Sequence, residues 1–123
     1  EFAAPCRAHG LDFISLIAPT SEHRIAAIAK EAEGFLYLVS SLGVTGTRSK
    51  ITTDLGSIVK AVRENTQIPC AIGFGISTPE QAGEMAKLAD GVIVGSAIVK
   101  LLEQYGPAHI GAYVKSMKEA MKE

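Results

Sequence analysis

Short apolar runs alternate along this chain with longer stretches in which apolar residues recur at three- and four-residue spacing, a βα rhythm. Four runs are predicted as strands: Asp12–Ala18, Phe35–Ser40, Pro69–Gly73 and Gly91–Gly95. The first, second and fourth are apolar at nearly every position, the pattern of strands covered on both faces of a parallel sheet. Capping chemistry marks the helices between them. Thr20 or Ser21 is predicted to cap a helix carrying Ile25, Ile28 and Ala29 that ends near Gly34. Asp54 is predicted to cap the next, with Leu55, Ile58, Val59 and Val62 on its apolar side. Thr78-Pro79-Glu80-Gln81 offers a cap, a Pro at the first helical position and a Gln able to close a capping box. Ile98–Glu103 reads as a short helix, Gly106-Pro107 as a break, and Ile110–Met121 as an amphipathic helix with Ile110, Val114, Met117 and Met121 on one side. A helical remnant stops at Gly10. With no antiparallel hairpin signal, these elements predict a parallel α/β sheet.

The second βα unit is longer than its neighbours, and the excess is predicted as a loop, Ser41–Thr53, rich in Gly, Ser and Thr. It follows the C-terminal end of a strand, where parallel α/β proteins place their ligand-handling loops. Charge then narrows the function. With 12 Lys+Arg against 13 Asp+Glu among 123 residues, and no basic block, nothing marks a surface for nucleic acid or anionic lipid. The longest mainly apolar stretch, Gly91–Val99, is far short of the roughly 18 to 20 residues that span a bilayer. Cys6 and Cys70 read as reduced thiols of a cytoplasmic protein rather than a disulfide framework. The chain opens on Glu1-Phe2-Ala3 with neither an initiator Met nor a signal-peptide pattern, and so reads as beginning in the middle of something.

Two glycine turns carry the candidate chemistry. Gly73-Phe74-Gly75-Ile76-Ser77 follows the third strand; its glycines let backbone approach a ligand, and Phe74 can wall a pocket. Gly95-Ser96-Ala97 follows the fourth and leads straight into a helix, aiming N–H groups, the positive end of the dipole and the Ser96 hydroxyl at one point. Either alone is an ordinary helix entry. Together they match the phosphate site that (β/α)8 barrels build after strands seven and eight, an anion met by backbone N–H groups without lysine or arginine. Thr78 stands where a dinucleotide fingerprint requires Gly or Ala, and no GK[ST] occurs, so neither nucleotide motif is present. Asp90 lies just before a strand and Asp12 opens one, both at the end away from the turns, and Asp54 reads as a cap. His9, His23 and His109 share no ligand spacing and read as surface residues, and no lysine sits at a strand end to form a Schiff base.

Gly43-Val44-Thr45-Gly46, Gly73–Gln81 and Asp90–Lys100, with Ile17-Ala18-Pro19-Thr20-Ser21 and Tyr37-Leu38-Val39-Ser40 in the same order and spacing, resemble the tryptophan synthase alpha subunit family from Glu1 to Glu123. The resemblance implies a TIM (β/α)8 barrel of which residues 1–123 are the C-terminal half, strands five to eight with their helices. It implies retro-aldol cleavage of indole-3-glycerol phosphate to indole and glyceraldehyde 3-phosphate, in a complex whose beta subunit carries pyridoxal phosphate while this chain needs no cofactor or metal. Gly46, Gly73, Phe74, Gly75, Gly95 and Ser96 would hold the substrate phosphate. Tyr37 would lie inside the barrel, Ile17 near the indole end, and Thr45 on the lid loop that answers to the beta subunit.

The family's two catalytic carboxylates, a Glu at the end of strand two and an Asp in the loop after it, match no residue here. The chain alone is therefore expected to be inactive, because acid/base steps are commonly worth about 10²- to 10⁴-fold. Four strands would also leave two apolar sheet edges, at Asp12–Ala18 and Gly91–Gly95, so the chain is expected either to belong to a longer subunit or to self-associate. Two rivals are a non-catalytic phosphate-binding half-barrel and another phosphate-binding barrel enzyme, such as indole-glycerol-phosphate synthase or phosphoribosylanthranilate isomerase. The Gly43–Gly46 loop argues against the second.

Overall fold

The computed structural model describes residues 2–18, 23–40, 48–73 and 75–122, and only the backbone of residues 48–54. Its elements run α1 (Ala3–Ala8), β1 (Ser15–Ile17), α2 (Ile25–Glu31), β2 (Leu36–Val39), α3 (Arg48–Arg63), β3 (Cys70–Gly73), α4 (Pro79–Ala86), β4 (Gly91–Val92), α5 (Ser96–Tyr105), a 3-10 turn (Pro107–His109) and α6 (Ile110–Ala120). The sheet order is β1-β2-β3-β4 and all three pairings are parallel. Each strand thus lies beside its predecessor, the winding that curls a parallel sheet into an arc of a (β/α)8 barrel. A doubly wound sheet would reverse its order at a switch point.

Register sorts the strand residues into two faces. Leu36 stands between Ser15 and Cys70, and Leu38 between Ile17 and Ile72. Ile17, Leu36, Leu38, Cys70 and Ile72 are at most 1% exposed and share one core with Ile25 and Ala29 of α2, Leu55, Ile58, Val59 and Val62 of α3, Ala82 and Met85 of α4, and Met117 of α6. Burying each large aliphatic side chain contributes roughly 1.5–3 kcal/mol. The intervening row, Leu16, Tyr37, Ala71 and Gly91, faces the other way; Leu16 is 58% exposed and the other three are half-buried. Strands covered on both faces, as the apolar runs predict, are therefore not what forms among the described residues. The helices supply apolar partners to one face only.

Strand cores fall inside the predicted runs but are shorter, with β4 reduced to two residues, although the Ile93 N–H still donates to the Ile72 carbonyl at 2.8 Å. The larger difference concerns α3. It begins at Arg48, so Asp54 lies inside the helix rather than capping it, and the loop predicted to reach Thr53 has turned helical by residue 48. Ile51, Leu55, Ile58, Val59 and Val62 continue one i, i+4, i+7 series, and that period carries the helix back past the acidic residue. Two other helix ends follow the signals. Gly10 closes α1 at φ +70, and Gly106, at φ +79, separates α5 from the 3-10 turn. The predicted caps Thr20 and Ser21 lie outside the described residues; α2 stops at Glu31, short of Gly34.

The end of the sheet away from the glycine turns is pinned by charge. Asp90 Oδ2 accepts the Cys70 N–H at 2.9 Å and pairs with Arg63 Nη2 at 3.0 Å, tying α3, β3 and the entry to β4 together. The Cys70 hydrogen bond, with the Arg63 guanidinium beside it, holds the Asp90 carboxyl below its ordinary value of 3.8. A lowered folded-state pKa contributes stability that is present above about pH 4 and is lost as pH falls through the lowered value. Asp90→Ala is expected to cost about 1 kcal/mol at neutral pH, the scale of one partly exposed charged hydrogen bond. It should also flatten the acid side of the stability curve between pH 4 and pH 2, measured by urea unfolding across that range.

Candidate phosphate site at the strand ends

Residues 75–77 and 93–96 leave the C-terminal ends of neighbouring strands, which the pairings Ala71 to Gly91 and Ile72 to Val92 hold side by side. The first turn is anchored by Ile76, 4% exposed, while Gly75 and Ser77 on either side of it face solvent. Gly75 adopts φ +85, a conformation that side-chain-bearing residues enter at a cost. Beyond it the predicted capping box forms. Thr78 Oγ1 accepts the Gln81 N–H at 3.2 Å, and Gln81 Oε1 accepts the Thr78 N–H at 3.2 Å and the Ser77 N–H at 2.9 Å.

The second turn ends at Gly95, whose carbonyl accepts the Ile98 and Val99 N–H groups, at 3.0 and 3.2 Å, and starts α5. Ser96 is the first helical residue and not a side-chain cap. The N–H groups ahead of these, on Ser96 and Ala97, come too early in α5 to have an acceptor inside the helix and point outward with the positive end of its dipole. Between the turns lies an open groove of about 580 Å³, lined by Gly75, Ile76 and Ser77 on one side and by Ser96, Ala97, Val99, Lys100 and Glu103 on the other. Lys100 falls within the predicted Ile98–Glu103 helix, and the sequence pattern calls for no cation at the anion; the structure nonetheless sets Lys100 on the groove. Ser96, Lys100 and Glu103 are spaced i, i+4, i+7, which sets them on one face of α5, and that spacing was the available signal.

Gly73 has a different role from Gly75. A Cβ on Gly73 would stand 2.5 Å from the Tyr37 hydroxyl oxygen and 2.7 Å from Cζ, so the missing side chain is the space the Tyr37 ring occupies. Tyr37 and Gly73 are therefore together at the strand ends. Ile17 is not in that row: it is 1% exposed, pairs with Leu38 and belongs to the helix-covered core. Gly46, Thr45 and Phe74 lie outside the described residues. Asp12 and Asp90 precede β1 and β4, at the opposite end from the groove. His9, His23 and His109 are exposed, and no group of three or more His, Cys, Asp and Glu able to hold a metal occurs among the described residues. Both cysteines are free, and burial pushes the Cys70 thiol above its ordinary pKa, which keeps it protonated and unreactive. Among the described residues no helix is long and apolar enough to cross a membrane.

Parallel strands wound in sequence order, backed by helices on one face and carrying glycine turns at their C-terminal ends, define an arc of a (β/α)8 barrel. Comparison with known proteins narrows the class. Residues 1–123 match the family model for the tryptophan synthase alpha chain. The chain is 55% identical to the alpha chain of Lactiplantibacillus plantarum over 116 residues, covering 92% of this chain and 44% of that one. It is 50% identical to the alpha chain of Geobacter sulfurreducens over 124 residues, covering 100% and 47%. The solved tryptophan synthase subunit alpha from Campylobacter jejuni superposes with a TM-score of 0.79 at 37% identity, over 96% of this chain and 46% of that one. A Mycobacterium tuberculosis tryptophan synthase structure gives 0.81 at 36% identity, over 99% and 46%. The chain belongs to the tryptophan synthase alpha chain family and spans about half the length of the relatives it matches.

The Tyr37–Gly73 contact makes a direct prediction. Gly73→Ala should displace the Tyr37 ring and destabilise by roughly 1–3 kcal/mol, the range for overpacking. In a Tyr37→Ala background the same change should cost about 1 kcal/mol less, and a double-mutant cycle by denaturant unfolding measures the difference.

Proposed function

We propose that this chain supplies the phosphate-binding wall of a tryptophan synthase alpha subunit, a lyase of tryptophan biosynthesis that cleaves indole-3-glycerol phosphate to indole and glyceraldehyde 3-phosphate. The observation that carries the reading is the single groove shared by Gly75, Ser77 and Ser96, in a chain of this family. A phosphate dianion there would meet the first-turn N–H groups of α5, the Ser96 hydroxyl and the backbone of the Gly75 turn, with Lys100 adding a cation at the rim. Tyr37, packed over Gly73, would present its ring to the rest of the substrate. Gly46 and Phe74 join this site, and Thr45 a lid that excludes water, on the resemblance alone. Ile17, in the helix-covered row, supports the strand end from behind.

The chain's part in the reaction is binding and orientation. Holding the phosphate fixes the distance of the scissile bond from the acid/base groups that the family carries elsewhere in its barrel. The subunit would work in the cytoplasm against a beta subunit that carries the pyridoxal phosphate, and this chain would bind neither cofactor nor metal. The family match sets aside the other phosphate-binding barrel enzymes. A non-catalytic phosphate-binding half-barrel remains the second reading, favoured by Asp12 and Asp90 lying at the end of the sheet away from the groove.

Two measurements test this. Glycerol 3-phosphate at about 100 times its Kd should stabilise the folded chain by about 2.7 kcal/mol, seen as a rise in melting temperature. Gly95→Asp should abolish the rise, because it sets a carboxylate at the helix start. Among the described residues no atom beyond its own chain neighbours and helix backbone lies within 4 Å of the position its Cβ would take, and the backbone φ of −119° suits any residue, so folding should survive. Unchanged stabilisation of the variant would refute the site. Separately, the chain alone should release no indole from indole-3-glycerol phosphate, whereas supplying the remaining half of a relative's barrel should restore release. Binding without restored release would favour the non-catalytic reading.

A further inference from the structure

Both backbone polar groups of Ser77 are held by side chains from helices that otherwise have no part in the groove. Its N–H donates to Gln81 Oε1 on α4 at 2.9 Å, and its carbonyl accepts from the Tyr113 hydroxyl on α6. The same Gln81 oxygen also accepts the Thr78 N–H, and the Ser77 hydroxyl lies 3.3 Å from it. Gln81 is half-buried, and Tyr113 is half-buried with its ring packed against the core. Burial raises the Tyr113 hydroxyl above its ordinary pKa, so it stays a donor at neutral pH. The two helices holding this clamp are in close contact, since a Cβ on Gly83 of α4 would stand 2.8 Å from the Ala120 carbonyl oxygen of α6.

We propose that Gln81 and Tyr113 are positioning residues for the phosphate site: between them they fix the Gly75–Ser77 turn so that its backbone faces α5 before any ligand arrives. The inference rests on the phosphate reading of the groove and adds to it a dependence on the C-terminal helix. A turn with a glycine at φ +85 and two exposed residues has many conformations open to it. Ile76 anchors it at one point, and one anchor leaves rotation about the chain. Clamping the N–H and the carbonyl of Ser77 from two sides removes that freedom in advance, so a bound anion need not supply the ordering itself.

The test compares Tyr113→Phe and Gln81→Leu with Ser116→Ala, which removes the hydrogen bond from the Ser116 hydroxyl to the Tyr113 carbonyl at 2.7 Å on the same helix without touching the turn. Inorganic phosphate and glycerol 3-phosphate are the probes, by calorimetry on the whole chain, alongside amide hydrogen exchange. Tyr113→Phe and Gln81→Leu should each weaken phosphate binding roughly three- to tenfold, the factor carried by one net hydrogen bond. Exchange at Ser77 and Thr78 should speed up while β3 amides stay protected, and Ser116→Ala should change neither. Wild-type affinity and exchange in both clamp variants would overturn the proposal, as would equal losses in Ser116→Ala, which would reduce the effect to helix stability. A wild-type chain that binds neither probe overturns the phosphate reading instead, and the exchange rates then decide the clamp by themselves.

Discussion

The parallel register between β3 and β4 is the constraint on which the candidate site depends. Ala71 opposite Gly91 and Ile72 opposite Val92 fix how far apart the two glycine turns emerge, and the groove is the space between them. Side chains alternate along a strand, so a slip of one residue would carry Ile72 from the core to the open face and separate Gly75 from Ser96 by about 3 Å more or less along the sheet. Core burial of Ile72 and Leu38 is what makes that slip costly. The site is thus held by residues that line no part of it.

A second consequence of register is the division of labour between faces. Every buried strand residue except Gly73, which Tyr37 covers, lies in the rows that contact helices, and the Leu16, Tyr37, Ala71, Gly91 row stays partly open. The wall so formed carries the groove at one end and the Asp90, Arg63 and Cys70 link at the other. The two ends use polar groups differently. At the Asp90 end donors and carboxylate satisfy each other and lock the packing. At the glycine end the first-turn N–H groups of α5 face outward, where a ligand can use them.

Much of this was legible from residue patterns, and the exceptions have physical causes. The Thr78–Gln81 capping box is a local arrangement, complete within four residues, and it forms as read. So do the breaks at Gly10 and Gly106, which need only a positive φ. The start of α3 differs from the pattern because Asp54 is a good cap in isolation, while the apolar series from Ile51 to Val62 extends the helix through it. The expectation of strands covered on both faces failed because apolar runs state what a strand can bury, not how many partners the fold brings. The place of Lys100 on the groove has no local signature, because a helical position acquires a neighbour across a groove only when two turns from different strands are placed together.

By itself, then, the sequence determined the order of strands and helices, the parallel class, the glycine turns and the family, since each is written in local spacing or in a contiguous motif. Tertiary structure alone decided that Gly73 makes room for Tyr37, that Ile17 belongs to the core, that Lys100 borders the groove, and that Gln81 and Tyr113 hold Ser77 between them. Those pairs stand up to 36 positions apart. No local pattern fixes a contact of that range, because it exists only once parallel pairing and helix packing have brought the segments into one place.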